Sequence, residues 1–118
     1  MNIEEFRNYC LAKKGVEETF PFDETTLVFK VMGKMFALTG LENEEFRVNL
    51  KCDPDRAEAL REEYGDIKPG WHMSKKHWNT VYFENELEEE LLCELIDHSY
   101  DLVVKKLKKI DRAVLNNL

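Results

Sequence analysis

Long apolar runs are missing from this 118-residue chain, and nothing in it approaches the roughly 20 residues that a membrane-spanning helix needs. The opening MNIEEFRNYC is acidic and lacks the basic-then-apolar layout of a secretion signal. Cysteine is scarce: Cys10, Cys52 and Cys93 are odd in number, far apart and in no C-x-x-C arrangement. Each falls in a segment that reads as helix or strand, so reduced, largely buried thiols are expected, in a cytoplasmic protein. Basic charge is also short, with 17 Lys and Arg against 24 Asp and Glu and a formal net charge of −7. That balance argues against generic polyanion binding, which usually needs basic patches or a basic excess. Catalytic signatures are absent as well: there is no G-x-S-x-G elbow, no H-E-x-x-H and no phosphate-binding glycine loop. A protein that is not an enzyme and uses no cofactor is expected.

The chain carries 43% hydrophobic and 35% charged residues, which fits a globular protein with a single core, one domain over residues 1–118. Ile3, Phe6 and Cys10 recur at helical spacing, so residues 2–14 read as an amphipathic helix stopped by Gly15. Val16 to Glu24 reads as a connection. Leu27–Met32 and Met35–Thr39 then flank Gly33-Lys34, a pair suited to a type II′ hairpin turn. That register sets Val31 opposite Phe36 and Phe29 opposite Leu38, with all four on one face. Phe46, Val48 and Leu50 alternate with Arg47, Asn49 and Lys51, a third strand with one wet face.

Asp53-Pro54 supplies an N-cap and a first-turn proline for a helix reaching about Tyr64. A loop with Pro69-Gly70 follows, then a strand from about Trp78 to Phe83. A long helix starts near Leu87, its stripe made by Leu92, Ile96, Ser99, Val103, Leu107 and Ile110. The order α-β-β-β-α-β-α predicts an α+β fold, an antiparallel sheet with helices packed on one face.

The charges are segregated. Ile67 to Phe83 holds three lysines, two of the three histidines, both tryptophans and no acid. Glu84 to Asp97 holds seven acids and no Lys or Arg, whereas Lys105 to Arg112 holds five basic residues against Asp111.

Leu50-Lys51-Cys52-Asp53-Pro54, the run from Lys68 to Val81 (KPGWHMSKKHWNTV) and the helix Glu94–Val103 together resemble the MmcQ/YjbR family over essentially the whole chain. Trp71 stands where the family more often has Tyr, and Ser74 where Asn is common. The resemblance implies a small bacterial α+β domain, related in fold to the frataxin-like CyaY domains. It also implies DNA binding, since the sheet-and-hairpin layout has been likened to a double-wing DNA-binding motif.

The residues offer a site consistent with that. Lys68, Lys75 and Lys76 are candidate phosphate contacts; Trp71 and Trp78 are candidate stacking platforms; and Asn79 has the amide that can pair with an adenine edge. His72 and His77 complete the set. Their H-x₄-H spacing matches no strong zinc pattern and no nearby Cys or carboxylate completes a tetrahedral shell, so no metal is expected. Glu86, Glu88, Glu89, Glu90 and Glu94 invite an iron reading through the frataxin-like relationship, but acids in a first helical turn follow from the helix dipole alone. Bland alternatives hold for the loop too: adjacent lysines are often solvated, and Trp78 at a strand entrance is expected to be partly buried. The same loop could instead meet an acidic protein or a small anion, as a regulatory or interaction module with no nucleic-acid role.

Overall fold

In the computed structural model, which describes residues 1–118, strands and helices follow in ten elements. They are α1 (Ile3–Leu11), β1 (Val16–Thr19), β2 (Thr26–Val31), β3 (Lys34–Gly40), β4 (Arg47–Lys51), α2 (Pro54–Glu63), β5 (Ile67–Pro69), β6 (Trp78–Tyr82), α3 (Glu89–Lys105) and α4 (Lys109–Asn116). The strands form one six-stranded sheet in the order β1-β2-β3-β4-β6-β5, with every neighbouring pair antiparallel. α3 lies across β2, β3 and β4, α2 rests against β5 and β6, and α1 sits beside β1. This is the α+β arrangement that the sequence predicts, with additional short elements.

The helix starts are chemically marked. Asn2 and Glu5 form a reciprocal capping box on α1, with Glu5 N–H donating to Asn2 Oδ1 at 2.8 Å and Asn2 N–H to Glu5 Oε1 at 3.1 Å. Asp53 caps α2 by accepting from Arg56 N–H at 3.3 Å, with Pro54 in the first turn. The core lies between the helices and one sheet face. Phe6 of α1 sits at its centre, edge-on to Phe29, Phe46 and Phe83 at 5.4, 5.6 and 5.4 Å between ring centroids. The thiols behave as expected: all three are free, Cys10 and Cys52 are buried, and burial pushes the Cys52 thiol up to about 11.

Four local expectations are corrected. The hairpin turns at Met32-Gly33, not Gly33-Lys34: Val31 pairs with Lys34, and both turn residues have positive φ, 49° and 78°, as a type I′ turn requires. A bulge then inserts Phe36, so Phe29 opposes Ala37 and Val28 opposes Leu38. Phe29, Val31 and Phe36 keep their places in the main core, whereas Leu38 moves to the opposite face with Val28 and Trp78. Residues read as connections include β1 and β5, each too short to show a period and each at a sheet edge. The final helix breaks after Lys105, and the change of direction leaves Ile110 71% exposed although it continues the apolar stripe.

Candidate nucleic-acid interface

Strand alternation assigns the sheet face that carries no helix. From the register, it presents Thr26, Val28 and Lys30 of β2, Met35 and Leu38 of β3, and Arg47, Asn49 and Lys51 of β4. Trp78, Thr80 and Tyr82 of β6, Lys68 of β5, and Glu17 and Thr19 of β1, which pair with Lys30 and Val28, complete it. Strand positions throughout the sheet hold five cations (Lys30, Lys34, Arg47, Lys51 and Lys68), and of the 24 acids only Glu17 and Glu18. The three ion pairs, Arg7–Glu18, Lys13–Asp97 and Arg56–Glu94, use none of those five cations.

The segment from Gly70 to His77 folds back over this face. Gly70 N–H donates to Trp78 O at 2.9 Å, an approach that excludes any side chain: a Cβ there would stand 2.8 Å from Trp78 Cβ and 2.9 Å from Trp78 O. Next, Trp71 is clamped on the sheet. Its N–H donates to Thr80 Oγ1 at 2.9 Å, the Thr80 hydroxyl donates to Asn49 Oδ1 at 2.6 Å, and Asn49 Nδ2 donates to Trp71 O at 3.0 Å. The backbone of Trp71 is therefore fixed while its ring is 57% exposed. Arg47 stacks its guanidinium 5.5 Å from the ring centroid, and His72, in the left-handed region at φ 59°, sets its ring edge-on at 4.8 Å.

A second anchor comes from α2. The Arg61 guanidinium donates to Asn79 Oδ1 at 2.7 Å, to Trp78 O at 3.3 Å and to Lys75 O, tying both ends of the Lys75–Asn79 stretch to one planar group. Asn79 Nδ2 in turn donates to Ala57 O at 3.4 Å.

The predicted site residues thus divide by role. Lys68, Trp71, His72, Lys75 and Lys76 are exposed. His77 is half-buried, its carbonyl accepting from Cys52 N–H at 2.8 Å. Trp78 and Asn79 are 7% and 2% exposed, so neither projects from the loop as a free stacking ring or a free amide. Trp78 packs on Val28 and Leu38 as a floor, and the Asn79 amide is consumed by Arg61 and Ala57. Sequence reasoning did not single out Arg47, Asn49 and Thr80, although the wet alternation of the third strand contained the first two. Nothing local could have identified Arg61, because its partners lie on the far side of the loop.

Two depressions flank the loop. One, of about 410 Å³, is lined by Phe22, Leu38, Arg47, Asn49, Trp71 and His72 among others. The other lies at the hairpin end of the sheet beside Trp78, and Lys106 reaches it from the C-terminal basic cluster.

Comparison with known proteins agrees with this architecture. The family model described as YjbR matches residues 11–102. The chain is similar to the uncharacterised protein YjbR of Escherichia coli K12, with 35% identity over 118 residues and full coverage of both chains. It is also similar to the uncharacterised protein YbdF of Escherichia coli O157:H7, with 45% identity over 98 residues, 82% of this chain and 80% of that one. Among solved structures, Deinococcus radiodurans protein DR2400, with domain DUF419, superposes with a TM-score of 0.90 at 43% identity, covering 98% of this chain and 88% of the other.

Proposed function

The chain belongs to the YjbR family, and from that premise we propose that it is a non-catalytic DNA-binding protein. Its contact surface is the helix-free sheet face together with the Gly70–His77 loop. One observation carries this reading: on a chain of net charge −7, the helix-free face holds four strand cations, Lys30, Arg47, Lys51 and Lys68, against one strand acid, Glu17, beside an exposed indole whose backbone is fixed. Lys68, Lys75 and Lys76 then neutralise backbone phosphates, which positions the protein without reading sequence. Trp71 offers a ring face to bases or sugars. No sequence-reading group is assigned, since the Asn79 amide is already engaged inside the fold. Binding of this kind is weak and sensitive to salt. No helix is long and apolar enough to cross a membrane.

The test is fluorescence anisotropy of a short labelled DNA duplex at about 50 and 200 mM salt, for the wild type and for Lys75→Ala/Lys76→Ala. Micromolar binding is expected, with a salt slope lowered by about 1.8 in the double variant if each lysine neutralises one phosphate. Absence of binding by the wild type at low salt overturns the reading. An acidic protein or a small anion is then the partner to seek, and the Phe22–Trp71 depression, whose two rings are 63% and 57% exposed, is where to begin.

A further inference from the structure

Three lysines from three separate elements meet at the hairpin end of the sheet. Lys34 opens β3 just after the turn, Lys51 closes β4, and Lys106 is the C-cap residue of α3. With Met35, Trp78 and Val103 they line a depression of about 380 Å³ that has no carboxylate in its wall. None of the three takes part in an ion pair. The Lys51 ammonium stands 6.0 Å from the centre of the Trp78 ring, at the limit of a cation–π contact. Trp78 thus forms an apolar floor beneath converging positive charge.

Ordinary structural reasons account for only part of this. A lysine at the C-terminus of α3 is favoured by the helix dipole, which explains Lys106. Lys34 sits on an exposed turn, where a cation is unremarkable. Lys51 is different. It is half-buried, and burial first, then repulsion from Lys106 and Lys34, holds its ammonium below the ordinary lysine range. The fold keeps a partly desolvated cation beside two like charges with no internal counter-ion. A bound anion would relieve that repulsion.

We propose that Lys34, Lys51 and Lys106 form a discrete site for a phosphate-class oxyanion, distinct from the Gly70–His77 loop. Three ammonium groups, each with several donors and no fixed plane, suit a tetrahedral anion approached from three sides. The depression is also larger than the anion alone, which leaves space over Trp78 for the group that carries it. That phosphate can belong to a nucleic-acid backbone or to a free phosphorylated small molecule. The site shares Lys51 and Trp78 with the helix-free face, but it does not depend on the DNA reading, because inorganic phosphate tests it without any nucleic acid.

The experiment is a titration of isotopically labelled full-length protein with inorganic phosphate, followed through amide and indole N–H resonances at constant ionic strength. Saturable shifts of the Trp78 indole and the Val103 amide are expected at millimolar phosphate, with the Trp71 indole unmoved. Lys51→Met keeps the aliphatic stem and removes the charge, and it should weaken the response about tenfold or more. Lys106→Gln, on an exposed position outside the core, should weaken it also and guards against a folding defect in the first variant. No saturable shift, or equal shifts in wild type and both variants, overturns the site. A second arm uses a short single-stranded oligonucleotide without terminal phosphate. Binding that Lys51→Met weakens and that phosphate competes for identifies a backbone source. Phosphate binding without oligonucleotide binding keeps the site and points to a small organophosphate, whereas oligonucleotide binding that ignores both variants and phosphate rejects the nucleic-acid backbone as the occupant of this site and leaves the DNA reading intact.

Discussion

Ser99 is the polar residue on which the joint between sheet and helix layer rests, and its removal should be costly. The β3–β4 ladder pairs Ala37 with Leu50 and Leu38 with Asn49 and then stops, because Phe36 is bulged out of step with its neighbour strand. The next rung would join Phe36 and Lys51. In its place, fully buried Ser99 of α3 accepts from Lys51 N–H at 2.9 Å and donates to Phe36 O at 2.5 Å. The hydroxyl satisfies a backbone donor and a backbone acceptor at once. Ser99→Ala removes one oxygen and leaves both groups in a nearly dry environment, at about 1–3 kcal/mol for each unsatisfied group. Partial closure of the gap recovers some of that, so a loss of about 2–4 kcal/mol is expected. At roughly 4 °C per kcal/mol for a chain of this size, Tm should fall by about 8–16 °C. Urea unfolding gives the free energy directly, and an unchanged m value shows that the native and denatured states are otherwise the same. Amide exchange at Lys51 should accelerate more than at Leu50. A loss under about 0.5 kcal/mol refutes the reasoning, since Phe36 and Lys51 would then pair without help.

Two further outcomes follow from the geometry. Gly70→Ala places a methyl group 2.8 Å from Trp78 Cβ and 2.9 Å from its carbonyl oxygen. Backbone must therefore shift, at about 1–3 kcal/mol, and both indole resonances should move; an unchanged spectrum would show that the loop does not need this approach. The pH dependence should carry a histidine component from His98, whose Nε2 accepts from Asp53 N–H at 3.1 Å. Burial and then Arg56 hold its pKa below the ordinary 6.5, against smaller opposing effects of Glu94, Asp53 and Asp101. With the folded pKa below the unfolded one, the unfolded chain takes up the proton first. The stabilising contribution is complete above pH 6.5 and is lost as pH falls from there through the folded pKa. Denaturation across that range should show the loss in wild type, and His98→Gln, which keeps an acceptor but does not titrate, should flatten it.

Much of this fold can be read from local chemistry. Helix caps at Asn2 and Asp53, the alternation of Phe46, Val48 and Leu50 against Arg47, Asn49 and Lys51, and the stripe from Leu92 to Leu107 all depend on neighbours within a few residues. The misreadings occur where a distant partner decides. Met32-Gly33 and Gly33-Lys34 are both plausible turns in isolation, and the choice between them is made by the bulge that returns Phe36 to the core. VEET in β1 has no apolar alternation, and it is a strand because β2 is beside it. The helix break after Lys105 carries no Gly or Pro and becomes visible only in the exposure of Ile110. The site follows the same division. Trp71 in a loop and Trp78 at a strand entrance differ in exposure as their contexts suggest, but Arg61 and Lys106 enter through tertiary packing alone.

The acidic net charge and the basic face have a common origin in secondary structure. Strands disfavour Asp and Glu, which compete for backbone bonds or pack poorly on a pleated surface. First helical turns favour them, and Glu4, Glu5, Asp55, Glu89 and Glu90 occupy such positions here. A sheet covered by helices on one side therefore collects its acids on the helix side and in its loops. Of the strand acids only Glu17, opposite Lys30, stands on the other side, and the strand cations there outnumber it. A packed layer is about 10 Å thick, whereas the Debye length at physiological ionic strength is about 8 Å. The field over the helix-free face is then set by the residues that stand on it, and the total of −7 governs solubility and long-range encounter. An acidic isoelectric point is for this reason a weak argument against an anion-binding surface in a two-layer α+β protein, and the distribution of charge between strands and helices is the quantity that decides.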